Sequence, residues 1–313
     1  MAKKTPNFND SLNKIQDTEQ PFSTSALVAF SNMEPEDETR FETAWPELPL
    51  ERRRKTVTAM IELAEEDVQL DFSPVLFFML NDKDVQVRSK AIEGLWEDES
   101  REFLAKLLEL LANDPEEFVR EKAALGLSNF AYLAELGKLK ERWIEKLREA
   151  LLAQAAPENR SIPVRRRSLE ALGYFGQDER TLRLIEKAYT SDDELLKASA
   201  LKAMGRSVNK RWLPEVGKEL SNREPALRYE AATAAGELGS EELVPPVIAL
   251  TEDEDREVQL AAIWALGQIG GAEARRKLSE LSNNEDEGLV TAAKEAMAEI
   301  TYADNPLNVL SNQ

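Results

Sequence analysis

Residues Asp255–Gly270 read DREVQLAAIWALGQIG, and the fold follows from how often this pattern returns. An acid opens the stretch, Val258, Ala262, Ala265 and Leu266 follow at helical spacing, and glycines close it. Positions 0, +4, +7 and +8 from Val258 share one face of an α-helix. The opening acid stands where free backbone N–H groups and the positive end of the helix dipole favour a carboxylate. The glycines stand where a helix stops.

Aligned on the apolar anchor, seven units carry this pattern, at Val87, Val119, Val164, Leu196, Leu227, Val258 and Leu289, with intervals of 32, 45, 32, 31, 31 and 31 residues. Position +4 is small in every unit (Ala91, Ala123, Ser168, Ala200, Ala231, Ala262, Ala293), and so is +7 (Gly94, Gly126, Ala171, Ala203, Ala234, Ala265, Ala296). Small side chains on the buried face let a neighbouring helix come close. Three residues before the anchor stands an acid in six units of the seven, with Ser161 in the third; one residue after it stands a base in five, with Gln259 and Val290 departing. An acid and a base repeated in register predict a charge ladder between adjacent units. Between these helices lie second apolar-periodic stretches such as SREFLAKLLELLAND and RTLRLIEKAYTSDD. Each unit is therefore a helical hairpin. One hairpin cannot bury its apolar face alone, and stacking neighbours creates a continuous core.

The repeated D-x-x-V-R-x-x-A-x-x-A-L-G pattern resembles HEAT repeats, and most closely the phycobilisome-lyase-like subclass, over about residues 35–300. The resemblance implies an all-α, right-handed α-solenoid of about seven to eight HEAT-like hairpins. In such proteins the second helices line the concave side, and the repeats are general scaffolds.

Outside the clear units, residues 1–33 are polar and lack a helical period, so a flexible N-terminal arm is expected, with a short ordered piece at Ala26–Phe30. The solenoid is expected over 34–301, opened by a degenerate capping pair: a short helix carrying Phe41 and Trp45, then LERRRKTVTAMIELAEED with Val57, Met60, Ile61 and Leu63 inward. The basic cluster Arg52-Arg53-Arg54-Lys55 reads as solvated. A tail follows from 302 to 313, whose Leu307, Val309 and Leu310 are apolar enough to fold back. The 45-residue interval holds about 13 extra residues, read as extended flanking helices and a loop over 128–162.

Composition excludes several function classes. The chain of 313 residues has no cysteine and no histidine. Disulfides, thiolate chemistry, the commonest general base and the commonest metal ligand all drop out. The net charge of −19 repels phosphate backbones and anionic membranes and favours protein partners with cationic or mixed-charge surfaces. The opening MAKKTPNFND has no apolar core of a signal peptide, so the default expectation is a cytoplasmic protein. No dinucleotide or P-loop glycine pattern is present. GQIGG at 267–271 is explained by helix ends, and the acids at 252–255 by helix capping. No catalytic residue, metal site or cofactor is expected.

Residues opposite the buried stripe fall near +2, +6, +9 and +13 from each anchor. There the chain places Trp96, Leu125, Tyr132, Tyr229, Leu260 and Trp264, with Tyr174 beside the line at +10. Aromatic side chains give large contact areas at small entropic cost and dominate binding hot spots, so these seven form a candidate partner-binding face; the competing reading is that some pack between repeats. Arg166 and Arg167, after the inserted segment, are candidates for holding an anion or a partner carboxylate, against the alternative that nearby Glu residues bridge them. The leading expectation is a non-enzymatic scaffold that grips a protein or peptide through this face or the 128–162 extension. The alternative, implied by the subclass resemblance, is a bilin lyase-like protein handling a tetrapyrrole on a carrier. Self-association is a third reading.

Overall fold

A computed structural model describes residues 7–304, and within them eighteen α-helices and no β-strand. They run α1 (Phe8–Gln16), α2 (Thr24–Leu27), α3 (Pro35–Ala44), α4 (Leu50–Glu66), α5 (Ser73–Met79), α6 (Val85–Gly94), α7 (Arg101–Asn113), α8 (Glu117–Glu135) and α9 (Glu141–Ala155). There follow α10 (Ile162–Leu172), α11 (Glu179–Tyr189), α12 (Glu194–Arg206), α13 (Leu213–Glu219), α14 (Pro225–Leu238), α15 (Val244–Leu250), α16 (Arg256–Ile269), α17 (Gly271–Leu281) and α18 (Glu287–Asp304). From α5 onward, odd-numbered helices are the first and even-numbered ones the second member of each hairpin. The architecture is the all-α solenoid of hairpins that the repeat demands. The helices form two compact units that divide between Phe130 and Ala131, within α8.

All seven anchors are buried, from 0% exposed at Val87, Val119 and Val258 to 7% at Leu289. Burying such a side chain contributes about 1.5–3 kcal/mol. In the second unit α10, α12, α14, α16 and α18 pack each on the next. Glycine at +9 makes that approach close. A Cβ on Gly173 would lie 2.9 Å from Ala203 Cα, one on Gly205 2.7 Å from Ala234 Cα, and one on Gly267 2.9 Å from Ala296 Cα. In each case the neighbour is the +7 alanine of the next unit. Position +9 in this unit is therefore seam, not the outward face it was assigned by simple helical geometry.

Four of the six acids at −3 act as caps, while Glu224 makes no capping side-chain bond. Asp84, Asp193, Asp255 and Asp286 accept backbone N–H groups of their own first turns. In the charge ladder Lys197 pairs with Glu219, whereas the rungs at Arg88 and Arg228 take a different acid from the expected one, five residues before the anchor of the next unit. Asp82, Asp114, Ser191, Asn222, Asp253 and Asn284 hold that place, and each accepts the N–H two residues on. Arg88 grips Asp114 of the next unit with two bonds of 2.8 Å, and Arg228 grips Asp253 at 2.6 and 2.7 Å. The Arg228 guanidinium holds the Asp253 carboxyl below its usual range. The same arginines also reach back to a carbonyl of the turn that opens their own helix, Arg88 to Asp82 O and Arg228 to Asn222 O. Gln259 keeps that second duty, donating to Asp253 O at 2.7 Å. It departs from the ladder in charge but not in its clamp on the turn.

The N-terminal stretch is corrected by the structure. Its described part, 7–33, holds short helices packed on the rest of the first unit, in place of an arm with one short ordered piece. Asn7 caps α1, Ile15, Leu27 and Phe30 are buried, and α1 and α2 pack on α4. Phe8, Phe30, Phe41 and Trp45 form a chain of ring contacts at 5.6, 5.0 and 5.4 Å. Trp45 Nε1 donates to Asp82 Oδ2 at 2.6 Å. The basic cluster on α4 is likewise not solvated as a whole. Arg52 is buried and donates to the carbonyls of Asp17 and Gln20, Arg53 pairs with Asp82, and Arg54 holds Asp84 at 2.7 and 3.0 Å. Only Lys55 of the four is exposed. At the other end α18 runs through Thr301 and Tyr302 to Asp304, and the apolar tail residues Leu307, Val309 and Leu310 lie outside the described residues.

Candidate functional site

The seven candidate residues fall into both units. In the first, Trp96 follows α6 and is 68% exposed, and Leu125 lies exposed on α8. In the second, Tyr132 near the end of α8, Tyr229 on α14 and Trp264 on α16 are exposed, while Tyr174 and Leu260 are half-buried.

Some of them are brought together. The Tyr132 and Tyr174 rings lie 5.6 Å apart, and the Arg206 guanidinium sits 5.0 Å from the Tyr174 ring centre. The Trp264 ring covers Gly236, where a Cβ would come within 2.6 Å of Cζ3. The indole is thus seated on the seam between α14 and α16 while one face stays open. This is an intermediate outcome between outward display and packing between repeats. No ring contact joins Tyr229 or Leu260 to another candidate among the described residues.

Arg166 and Arg167 are engaged from within. Glu170, one turn on, is 3% exposed. Its Oε2 accepts from Arg167 Nη1 at 3.0 Å, and its Oε1 accepts from the Ser199 hydroxyl at 2.6 Å. Ser199 in turn accepts from Arg166 Nε at 2.9 Å. Arg206 donates to the Glu170 carbonyl at 2.9 Å. The bridging alternative describes this geometry: the guanidinium groups balance a buried carboxylate.

Helical geometry alone passed over the charged groups at +3 and +10. Glu230 stands at +3 on α14, and Arg206 and Glu237 stand at +10 on α12 and α14, in line with Tyr174. Burial pushes the Glu237 carboxyl up to about 7, and Arg206 and Lys202 pull it back only in part. Its Oε2 has no hydrogen-bond partner among the described residues. Burial raises Glu230 and Tyr174 as well. The signal for +10 was present in the sequence. Position +9 is glycine in four consecutive units, from Gly173 to Gly267, so the next residue lies along the edge of each close helix contact.

The longer repeat opens a cleft beside Tyr174. The helices α8 and α9 have nineteen and fifteen residues. An open cleft of about 590 Å³ is lined by Ala134 and Glu135, by Ile144 and Arg148 of α9, and by the turn from Tyr174 to Arg180. Tyr174 therefore borders both this cleft and the row of outward side chains. Arg180, on the rim, is committed to Asp178 and Glu149 at 3.0 and 2.7 Å. Among the described residues no cluster of acids has the arrangement of a metal site, and no helix is long and apolar enough to cross a membrane.

The comparisons agree with this architecture. The chain resembles the CpcE–CpcF complex of phycocyanin lyase from Nostoc sp. PCC7120 at 16% identity and a TM-score of 0.53, over 91% of this chain and 97% of that one. It resembles Kap95p, in a structure of its complex with RanGDP, at 14% identity and a TM-score of 0.52, over 94% of this chain and 45% of that one. Importin beta is similar at 12% identity and a TM-score of 0.50, over 93% and 46%. At these identities the likeness is one of fold. No curated protein sequence matches the chain. The family profile described as HEAT repeats matches residues 73–160 and 213–298, more than half of the sequence, and the chain belongs to the HEAT-repeat family.

Proposed function

We propose that this protein is a non-enzymatic scaffold that holds a protein or peptide on the second helices of its second unit. One observation carries the reading. Tyr132 on α8, Tyr174 in the turn after α10, Tyr229 on α14 and Trp264 on α16 keep accessible ring surface, beside half-buried Lys202, Arg206, Glu230 and Glu237. Aromatic anchors next to partly desolvated charges are the composition of a binding hot spot. The cleft beside Tyr174 extends the same surface toward the longer repeat, so a partner on the row also reaches the 128–162 segment. The absence of histidine and cysteine in the whole sequence supports a binding role over acid–base or thiol chemistry. Kap95p, a protein of similar fold, is seen with RanGDP bound.

The test replaces Tyr229 by a photo-crosslinking phenylalanine derivative in cells that express the protein. The expected result is one or a few protein adducts, lost when Tyr174→Ala and Trp264→Ala are added. Equal crosslinking from the exposed Glu242 position, or no protein adduct at all, counts against the proposal. The tetrapyrrole alternative is supported by fold likeness to the phycocyanin lyase complex. Mixing the protein with an open-chain tetrapyrrole separates the two: an unchanged visible spectrum removes the lyase-like reading.

A further inference from the structure

The first unit holds an open groove of about 790 Å³ between the C-terminal ends of α4 and α6. Ile61 and Ala64 of α4, Leu76 of α5 and Leu95 form its apolar floor. Gly94 keeps that floor closed, because a Cβ there would stand 2.8 Å from both Ile61 Cγ1 and Leu76 Cδ1. Two apolar side chains stand out at its edge, Trp96 at 68% exposure and Val68 at 95%.

The charged residues along this groove are all acids: Glu65, Asp71, Glu97, Asp98 and Glu99, with no lysine or arginine among the lining residues. Asp71 and Asp98 each accept a backbone N–H, from Ser73 and Ser100. Glu65, Glu97 and Glu99 are exposed and have no hydrogen-bond or ion-pair partner among the described residues. Among buried and half-buried acids elsewhere in this unit, Asp82 is matched by Arg53, Asp84 by Arg54, Asp114 by Arg88, and Glu93 by Lys122 and Lys90, while other exposed acids such as Glu42 and Glu62 also stand without an ion pair among the described residues. What sets the groove apart is that its unpaired carboxylates border open apolar surface with no base in the lining.

We propose that this groove is a second docking surface, and that its occupant is a cationic segment of a partner protein carrying a bulky apolar side chain between lysines or arginines. The apolar side chain covers the floor against Trp96 and Val68. The flanking bases meet the carboxylates at the rim. A neutral segment would cover those carboxylates without compensating them, and an acidic segment or a phosphate backbone is repelled. The tryptophan supplies contact energy, and the charges set orientation and association rate. This surface lies wholly in the first unit and does not rest on the reading of the second.

The test is selection of phage-displayed random peptides on the full chain, followed by binding of the leading synthetic peptide. The expected motif is a large apolar residue flanked by Lys or Arg. Trp96→Ser and the pair Glu97→Lys, Glu99→Lys are each expected to weaken the peptide about 10-fold or more. Raising NaCl from about 50 mM to about 300 mM is expected to weaken it severalfold by screening. The double variant Tyr229→Ala, Trp264→Ala is expected to bind normally. All substituted side chains are exposed, and circular dichroism melts check that the variants fold. Enriched peptides without basic residues, no enrichment over the charge-reversed protein, or undiminished binding to Trp96→Ser would each overturn the proposal. Binding lost only in the Tyr229, Trp264 variant places the peptide on the second unit; the groove proposal then falls and the earlier reading stands.

Discussion

At the residue scale, Glu237 has surroundings unlike those of an ordinary surface acid. Its Oε2 is buried against the backbone of Gly205 without a hydrogen-bond partner among the described residues, and burial lifts its carboxyl to about 7. A raised acid favours the protonated form in the folded state. Its stabilising effect is full below the usual carboxylate range and is lost as pH rises through about 7. Arg206, Lys202, Glu230 and Glu135 act on it from neighbouring positions, the two bases lowering it and the two acids raising it. Replacing it with a neutral isostere removes the penalty of the buried charge. Glu237→Gln is therefore expected to stabilise the protein at pH 8 by about 1–2 kcal/mol, with the gain much smaller near pH 5. Urea unfolding of both proteins at the two pH values measures this, and a gain independent of pH would contradict the assignment. The sequence marks Glu237 only as one acid among 59. Its burial depends on a glycine in the preceding unit, 32 residues earlier in the chain.

At the scale of elements, the second helices approach through glycine, and the size of the approach yields a paired prediction. Gly205→Ala sets a Cβ 2.7 Å from Ala234 Cα and against the Glu237 carboxylate, so α12 and α14 must separate. Overpacking of this kind costs about 1–3 kcal/mol. Gly239 ends α14 at φ +62° with nothing within 4 Å of a Cβ, so Gly239→Ala carries only the cost of a left-handed alanine, about 1 kcal/mol. Thermal melts are expected to rank Gly205→Ala as the more damaging of the two; the reverse order would mean that the seam relaxes freely. Helix faces, caps and the small-residue seam were legible from spacing, because helical periodicity and neighbour packing are both local to one or two units. The partner of each ladder arginine was not. The −3 acid and the −5 polar residue are both near the same turn, and only the rotamer of Arg88 or Arg228 selects the latter. The Arg52–Arg54 cluster was misread for a related reason. The polar segment that covers it, α1 with the loop after it, shows too few apolar residues to announce a helix, yet its carbonyls at Asp17 and Gln20 satisfy Arg52.

At the scale of the whole molecule, the net charge of −19 acts as a distributed repulsion that the paired acids offset only locally. Screening it is expected to favour the folded chain. Raising NaCl from about 20 mM to about 200 mM should increase the thermal midpoint by a few degrees, since the Debye length falls below the spacing of most unpaired charges. Differential scanning calorimetry tests this, and a midpoint that falls with salt would show that the ion pairs of the ladder outweigh the repulsion. The sequence by itself determined the repeat, its helical hairpins, the anchors of the core and the absence of histidine and cysteine chemistry. Those properties rest on periodicity and composition, which survive in one dimension. Tertiary structure alone decided which acids pair, that the polar N-terminal residues from Asn7 pack as helices, and that Arg166 and Arg167 serve Glu170. It also set Trp96 beside a groove of unmatched carboxylates and buried half of Tyr174 against its neighbours. Apart from Arg166 and Arg167, which reach Glu170 within one helix, these depend on groups about 30 residues apart meeting across a helix contact, where burial removes water and a charge must find its partner or shift its proton affinity.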